Sequence, residues 1–240
     1  MTYAERPVMA WLSRNRHLVL LAALLVVLIT QPLVARDTTG ARLAYDLLVA
    51  AVALGVFCIV FRWRWERWVS AALVLPAIAL GVARYARADG AGASHGVAFH
   101  GFVAAFLAFA VVVIVRDILR QRAITFDAVF GAFAGYLLLG VAWGSLYAAA
   151  ELAAPGSFSI NPDIRWQLDD WHLRRALFNY FSFNTMASIG YSDITAVAPL
   201  ANTLTWLEVM AAQFYLAVII AQIVGLKLAQ AAGLGGGDGA

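Results

Sequence analysis

The residues whose types invite a chemical reading are Thr185, Met186, Ala187, Ser188, Ile189, Gly190, Tyr191, Ser192 and Asp193, a short polar stretch with one glycine. An amphipathic run, 171–184, precedes it, and a long apolar run, 204–228, follows. Non-helical backbone at membrane depth is tolerated only where protein buries it or water lines it. A polar hairpin in this setting is therefore a functional hypothesis by its form alone. Elsewhere the chain offers no nucleophile–base pair, no metal-ligand cluster and no phosphate-binding loop. The sequence points away from an enzyme and calls for no cofactor.

The elements that must position this hairpin are apolar. Of 240 residues, 63% are hydrophobic and 13% charged, with a mean hydropathy of +0.79. A soluble domain carries about 45–50% apolar and about 25% charged residues. Charge is confined to short clusters between apolar runs of roughly 18–25 residues, the length a helix needs to cross a hydrocarbon layer of ~30 Å. The chain reads as an all-α integral membrane protein with six transmembrane helices, at 17–34, 44–61, 69–85, 97–115, 126–152 and 204–228. The basic head before the first run resembles a signal peptide, but no small-x-small cleavage site follows, so the run is taken as a span. The pI near 9.2 reflects arginine at helix ends rather than a nucleic-acid partner. Cys58 lies mid-span, so no disulfide framework is expected.

Several features along these helices bear on packing. Arginine and tryptophan alternate from Arg62 to Trp68, a pattern that predicts an interfacial turn with indoles at headgroup depth. Pro76 is expected to kink the third span. Gly131 and Gly135, then Gly140 and Gly144, recur at four-residue spacing and put small residues on one face, where backbones approach closely. The longest polar connection, 155–171, leads to a helix over 171–187 that is too short and too polar at its start to span. Asp170 is its expected N-cap. Asp46 and Glu208 lie inside spans, where charged groups are usually functional or paired. For Glu208 the expectation is structural pairing behind the short helix. His100 reads as a packed histidine.

Ser188-Ile189-Gly190-Tyr191-Ser192-Asp193 resembles the selectivity filter of the potassium channel family, whose usual signature is Thr-(Val/Ile)-Gly-(Tyr/Phe)-Gly-Asp. The likeness extends over 126–228 as outer helix, extracellular turret, pore helix, filter and inner helix. It divides the chain into a four-helix region, 1–125, a pore domain, 126–228, and a flexible glycine-rich tail, 229–240. The resemblance implies that the backbone carbonyls of Ser188, Ile189, Gly190 and Tyr191, with the Ser188 hydroxyl, replace the hydration shell of K+. Ser192 would complete the filter, and Thr185, Asn184 and Asp193 would support it from behind. Asn184 has two expected uses, a hydrogen bond to Asp193 or one to local backbone. One chain supplies one filter strand, so a homotetramer is implied.

Departures from the family pattern are informative. Ser188 replaces threonine and keeps the hydroxyl. Ser192 replaces the second glycine, where the family's backbone calls for a conformation that costs a non-glycine residue about 1–2 kcal/mol. Ala212 stands where many relatives have a hinge glycine. The fourth span lacks the arginines of a voltage sensor. The resemblance is thus to a prokaryotic six-span channel with a single pore module and no working sensor.

Counting Lys and Arg with the N-terminus inside gives ten internal residues against seven external. This predicts both termini in the cytoplasm, in a multi-pass chain of the cell membrane, bacterial inner membrane by the resemblance. The expected partners are K+, membrane lipid and further copies of the chain. The alternatives are a weakly selective monovalent cation channel and a non-conducting or transporter-associated membrane subunit.

Overall fold

The computed structural model describes residues 15–31, 39–61, 63–86, 92–121, 123 and 125–232. The arginines at positions 6, 14, 36, 62, 87 and 122 used in the orientation count lie outside the described residues, as do the end of the first expected span and most of the tail. Within them the chain is almost entirely helical. In order come α1 (Arg16–Thr30), α2 (Thr39–Val60), α3 (Arg64–Ala83) with a 3-10 turn at Arg84–Ala86, α4 (Ala93–Leu119) and α5 (Phe126–Ala153). Then follow β1 (Phe158–Ile160), α6 (Pro162–Arg165), a second 3-10 turn at Trp166–Leu168, α7 (Trp171–Met186), β2 (Ile194–Ala196) and α8 (Pro199–Ala231).

Five helices, α2 to α5 and α8, are long and apolar enough to cross a membrane. α1 is apolar but has 15 residues, a rise of only about 22 Å. Of the six expected spans, five are long enough to cross among the described residues, and α1 is not. The expected turn at residues 62–68 is instead a helix start: α3 begins at Arg64, and Glu66 accepts from the Trp63 backbone at 3.1 Å. The indoles of Trp63, Trp65 and Trp68 stay exposed as expected. Glu66 is fully buried and pairs with Arg116 at 2.5 Å, joining the ends of α3 and α4.

α5 is the axis of the fold, because it is apolar all round and packs on α4, α7, α1 and α8. Its glycines explain how four helices fit around one. At Gly131 a Cβ would meet the His17 ring of α1 at 3.2 Å, and at Gly135 the Tyr215 hydroxyl of α8 at 2.5 Å. At Gly140 it would meet the Phe183 ring at 2.4 Å, and at Gly144 the Asn179 backbone at 3.0 Å. The first glycine pair seats α1 and α8; the second seats α7. Two apolar clusters result. One lies among α1 to α5 and α8, around Leu20, Phe61, Phe106, Ile114 and Leu138. The other, around Tyr147, Phe158, Phe178 and Phe181, lies where α5, β1 and α7 meet.

Candidate functional site

α7 begins at a well-made cap. The Asp170 carboxylate accepts from the backbone N–H groups of His172 at 2.8 Å and Leu173 at 3.1 Å, as the sequence predicts. The same carboxylate pairs with Arg42 of α2 at 2.8 Å, which moors the start of α7 to a distant helix. From there α7 runs along α5 with Phe178 and Ser182 fully buried.

Behind α7 lies a network that closes on Glu208 of α8. Glu208 is completely buried. The Tyr147 hydroxyl of α5 donates to one carboxyl oxygen, and the Ser182 hydroxyl of α7 lies 2.5 Å from the other. Ser182 also reaches the Gly140 carbonyl at 2.8 Å. One carboxyl group thus ties α5, α7 and α8 together, which is the structural pairing expected for it. Glu208 makes no ion pair with any described residue.

α7 ends at Met186 and the chain turns out of helix. Ala187 donates to the Phe183 carbonyl at 3.0 Å, Ser188 to Thr185 at 3.0 Å and Ile189 to Asn184 at 3.0 Å. Residues 187–192 are exposed on the single chain. Positive φ falls on Ser188, at 54°, and on Gly190, at 73°. Ser188 is the sole described non-glycine residue in that region. Ser192 is not there, so the cost expected at Ser192 is absent from this conformation and attaches to Ser188 instead.

Asp193 is held from two sides. Tyr180 of α7 donates to its carboxylate at 2.8 Å, and the Asn161 backbone donates to its carbonyl at 2.8 Å. Partial burial, and then the bond to Asp193, raises the Tyr180 phenol above its ordinary pKa. Asn184 does not reach Asp193: its amide donates to the Tyr180 carbonyl at 3.0 Å, the local-backbone option. Thr185 contributes its carbonyl to the turn. Tyr180, Tyr191, Ser192, Asp193 and Asn161 bound a shallow polar hollow beside the segment.

The connection before α7 returns to this place. β1 pairs antiparallel with β2, with Ser159 opposite Thr195, so the segment after Asp193 is laced to the long loop. Glu151 supports the loop by accepting from Gly156 at 2.8 Å and Phe158 at 3.1 Å.

Compared with family models, with curated proteins and with solved structures, the chain matches none. Its residues must carry the functional reading themselves.

Two clusters went beyond the sequence reading. Asp46 is hydrogen-bonded by Arg84 and Tyr85 and lies 3.2 Å from His172 Nε2, drawing α2, α3 and α7 together. Nothing in the spacing of these residues announces that convergence. Tyr180 was likewise missed, although its place 13 residues before Asp193 on the polar side of α7 was the available signal. His100 is buried as expected, against Phe99 and Trp171, and neither ring nitrogen has a hydrogen-bond partner among the described residues. No group of three or more His, Cys, Asp or Glu side chains is gathered for a metal among them.

Proposed function

We propose that this chain is one subunit of a homotetrameric potassium channel that conducts K+ passively across the cell membrane. The carrying observation is the segment 188–193. It leaves a short capped helix, exposes uncharged oxygens, bends by positive φ at alternate residues and is anchored at its far end through Asp193. Dehydrating a cation requires a shell of oxygens without excess fixed charge, and backbone carbonyls with one hydroxyl meet that need.

In this reading α7 is a re-entrant pore helix, and Ser188, Ile189, Gly190, Tyr191 and Ser192 form the filter strand. The carbonyls of Ser188 to Tyr191 and the Ser188 hydroxyl bind the ion, while Tyr180 and Asp193 brace the strand. α5 is the outer helix and α8 the inner, with residues 126–228 as pore domain, 1–125 as a sensorless helical region and 229–240 as a tail. α1 counts as a sixth, short span, both termini lie in the cytoplasm, and residues 155–170 form the external turret. Exposure of the filter strand on a single chain supports assembly, because one strand cannot surround an ion.

The second reading, a weakly selective monovalent cation channel, rests on Ser192 in the place of a filter glycine. Bi-ionic reversal potentials of reconstituted protein in planar bilayers separate the two. Potassium selectivity requires a reversal potential displaced far toward potassium. A potassium-to-sodium permeability ratio near one overturns it in favour of the second reading, and no flux at any potential overturns both.

A further inference from the structure

A second site lies away from the filter, where the helices α1 to α4 fail to close. They enclose, with α5 and α7, a cavity of about 570 Å³, within the range of about 300–1,000 Å³ that ligand sites occupy. The residues that line it from α2 and α3 include Ala50, Ala53, Ala77 and Gly81, whose side chains are too short to fill the gap. Its inner end is apolar, formed by residues such as Val56, Leu107 and Leu138. A void of this size forfeits dispersion contacts along its whole lining, and in a bilayer hydrocarbon is at hand to restore them.

The other end of the cavity is polar and positively charged. Arg84 hydrogen-bonds Asp46 and, at 2.9 Å, the Tyr85 hydroxyl, and its guanidinium lies 4.9 Å from the Trp171 ring centre. Arg175 sits 3.9 Å from Asp46. His172 also faces Asp46, and the neighbouring Asp170 is matched by Arg42. Two guanidinium groups therefore share one carboxylate at the rim. Arginine, tyrosine and tryptophan gathered at one end of an apolar slot mark headgroup depth.

We propose that this cavity is a binding site for an anionic phospholipid, one acyl chain lying among α2, α3 and α4 and the phosphate at Arg84 and Arg175. The proposal rests on the membrane setting of the helices and is independent of ion conduction.

The test uses the full chain in nanodiscs of equal phosphatidylglycerol and phosphatidylcholine. Either lipid is supplied in turn with a photoactivatable group midway along one acyl chain, and crosslinked residues are mapped by mass spectrometry. The expected labels fall on cavity residues such as Ala53 and Val103, at least five-fold stronger with the phosphatidylglycerol probe. Ala53→Phe and, separately, Ala77→Phe reduce them at least five-fold. Arg84→Gln with Arg175→Gln abolishes the preference between the two lipids. Labels confined to outward-facing residues such as Leu54 and Leu75, equal labelling by both probes, or labelling unchanged in the filled variants would each overturn the proposal. The wild-type map decides the matter even where a filled variant does not fold.

Discussion

Ser188 holds φ at 54° without being glycine, a conformation that strains an L-residue by about 1–2 kcal/mol. Such strain persists where the surroundings over-determine the backbone, and it clusters at functional sites. Ser188→Gly is therefore expected to raise stability by about 1 kcal/mol, read as a higher thermal midpoint in detergent, while removing the hydroxyl. Ser192→Gly relieves nothing comparable, and its midpoint should stay within about 0.5 kcal/mol of wild type; a large gain would place the strain at 192 after all. Glu208 gives a sharper contrast. Three oxygen–oxygen contacts join Tyr147, Glu208, Ser182 and the Gly140 carbonyl, and two hydroxyl protons serve them, so the third proton belongs to the carboxyl. Glutamine supplies an acceptor to Tyr147 and an N–H to Ser182, so Glu208→Gln should be close to neutral. Glu208→Leu leaves both hydroxyls without their partner and should cost about 1–3 kcal/mol. Chemical unfolding of the two variants side by side checks this; equal losses would show that the carboxyl is charged or idle.

Among the elements, α5 carries the most specific demands. An added methyl at Gly144 would meet the backbone of Asn179, which cannot rotate away, so Gly144→Ala should cost about 1–3 kcal/mol and loosen α7. Gly101 on α4 faces open space, and Gly101→Ala should gain up to about 1 kcal/mol from helix propensity. Hydrogen exchange along α7 distinguishes loosening from global loss. The glycine spacing on α5 was legible in the sequence, because periodicity reports which residues share a face. It does not report which neighbour fills that face, and Phe183 and Asn179 lie on a helix some forty residues on. The Asp170 cap was legible for the same local reason. The three-residue strands β1 and β2 were not, since their period is too short to rise above loop composition. The arginine–tryptophan run misled because Glu66 caps a helix there, and its burial against Arg116 is a tertiary fact. The polar, glycine-containing make-up of 188–193 was readable by type, whereas the positions of positive φ and the Tyr180–Asp193 strut required coordinates.

At the scale of the molecule, burial is distributed unevenly. Half of the apolar window of α5 is buried within the chain, against 11% for α8. Trp206, Met210, Phe214 and Val218 of α8 stand exposed at helical spacing. On the proposed reading this face and the exposed filter strand meet other copies. Light scattering with detergent correction should give a mass of four chains of 25.9 kDa each. A monomer at working concentration would remove the geometric basis for conduction. Unlike α4 and α5, α2 and α3 bury little of themselves, which is why the slack in the packing collects between them.

The Glu208 tie also bears on how the chain is made. An ionisable side chain within a membrane helix opposes insertion until it finds partners. α8 leaves the ribosome after α5 and α7, so Tyr147 and Ser182 both precede Glu208 in the chain. When Glu208 enters the bilayer, the hydroxyls that will satisfy it have already been synthesised. A chain with the order of these segments permuted would have to insert the carboxyl before its partners existed. Its yield of membrane-integrated protein should fall even though the final contacts are the same.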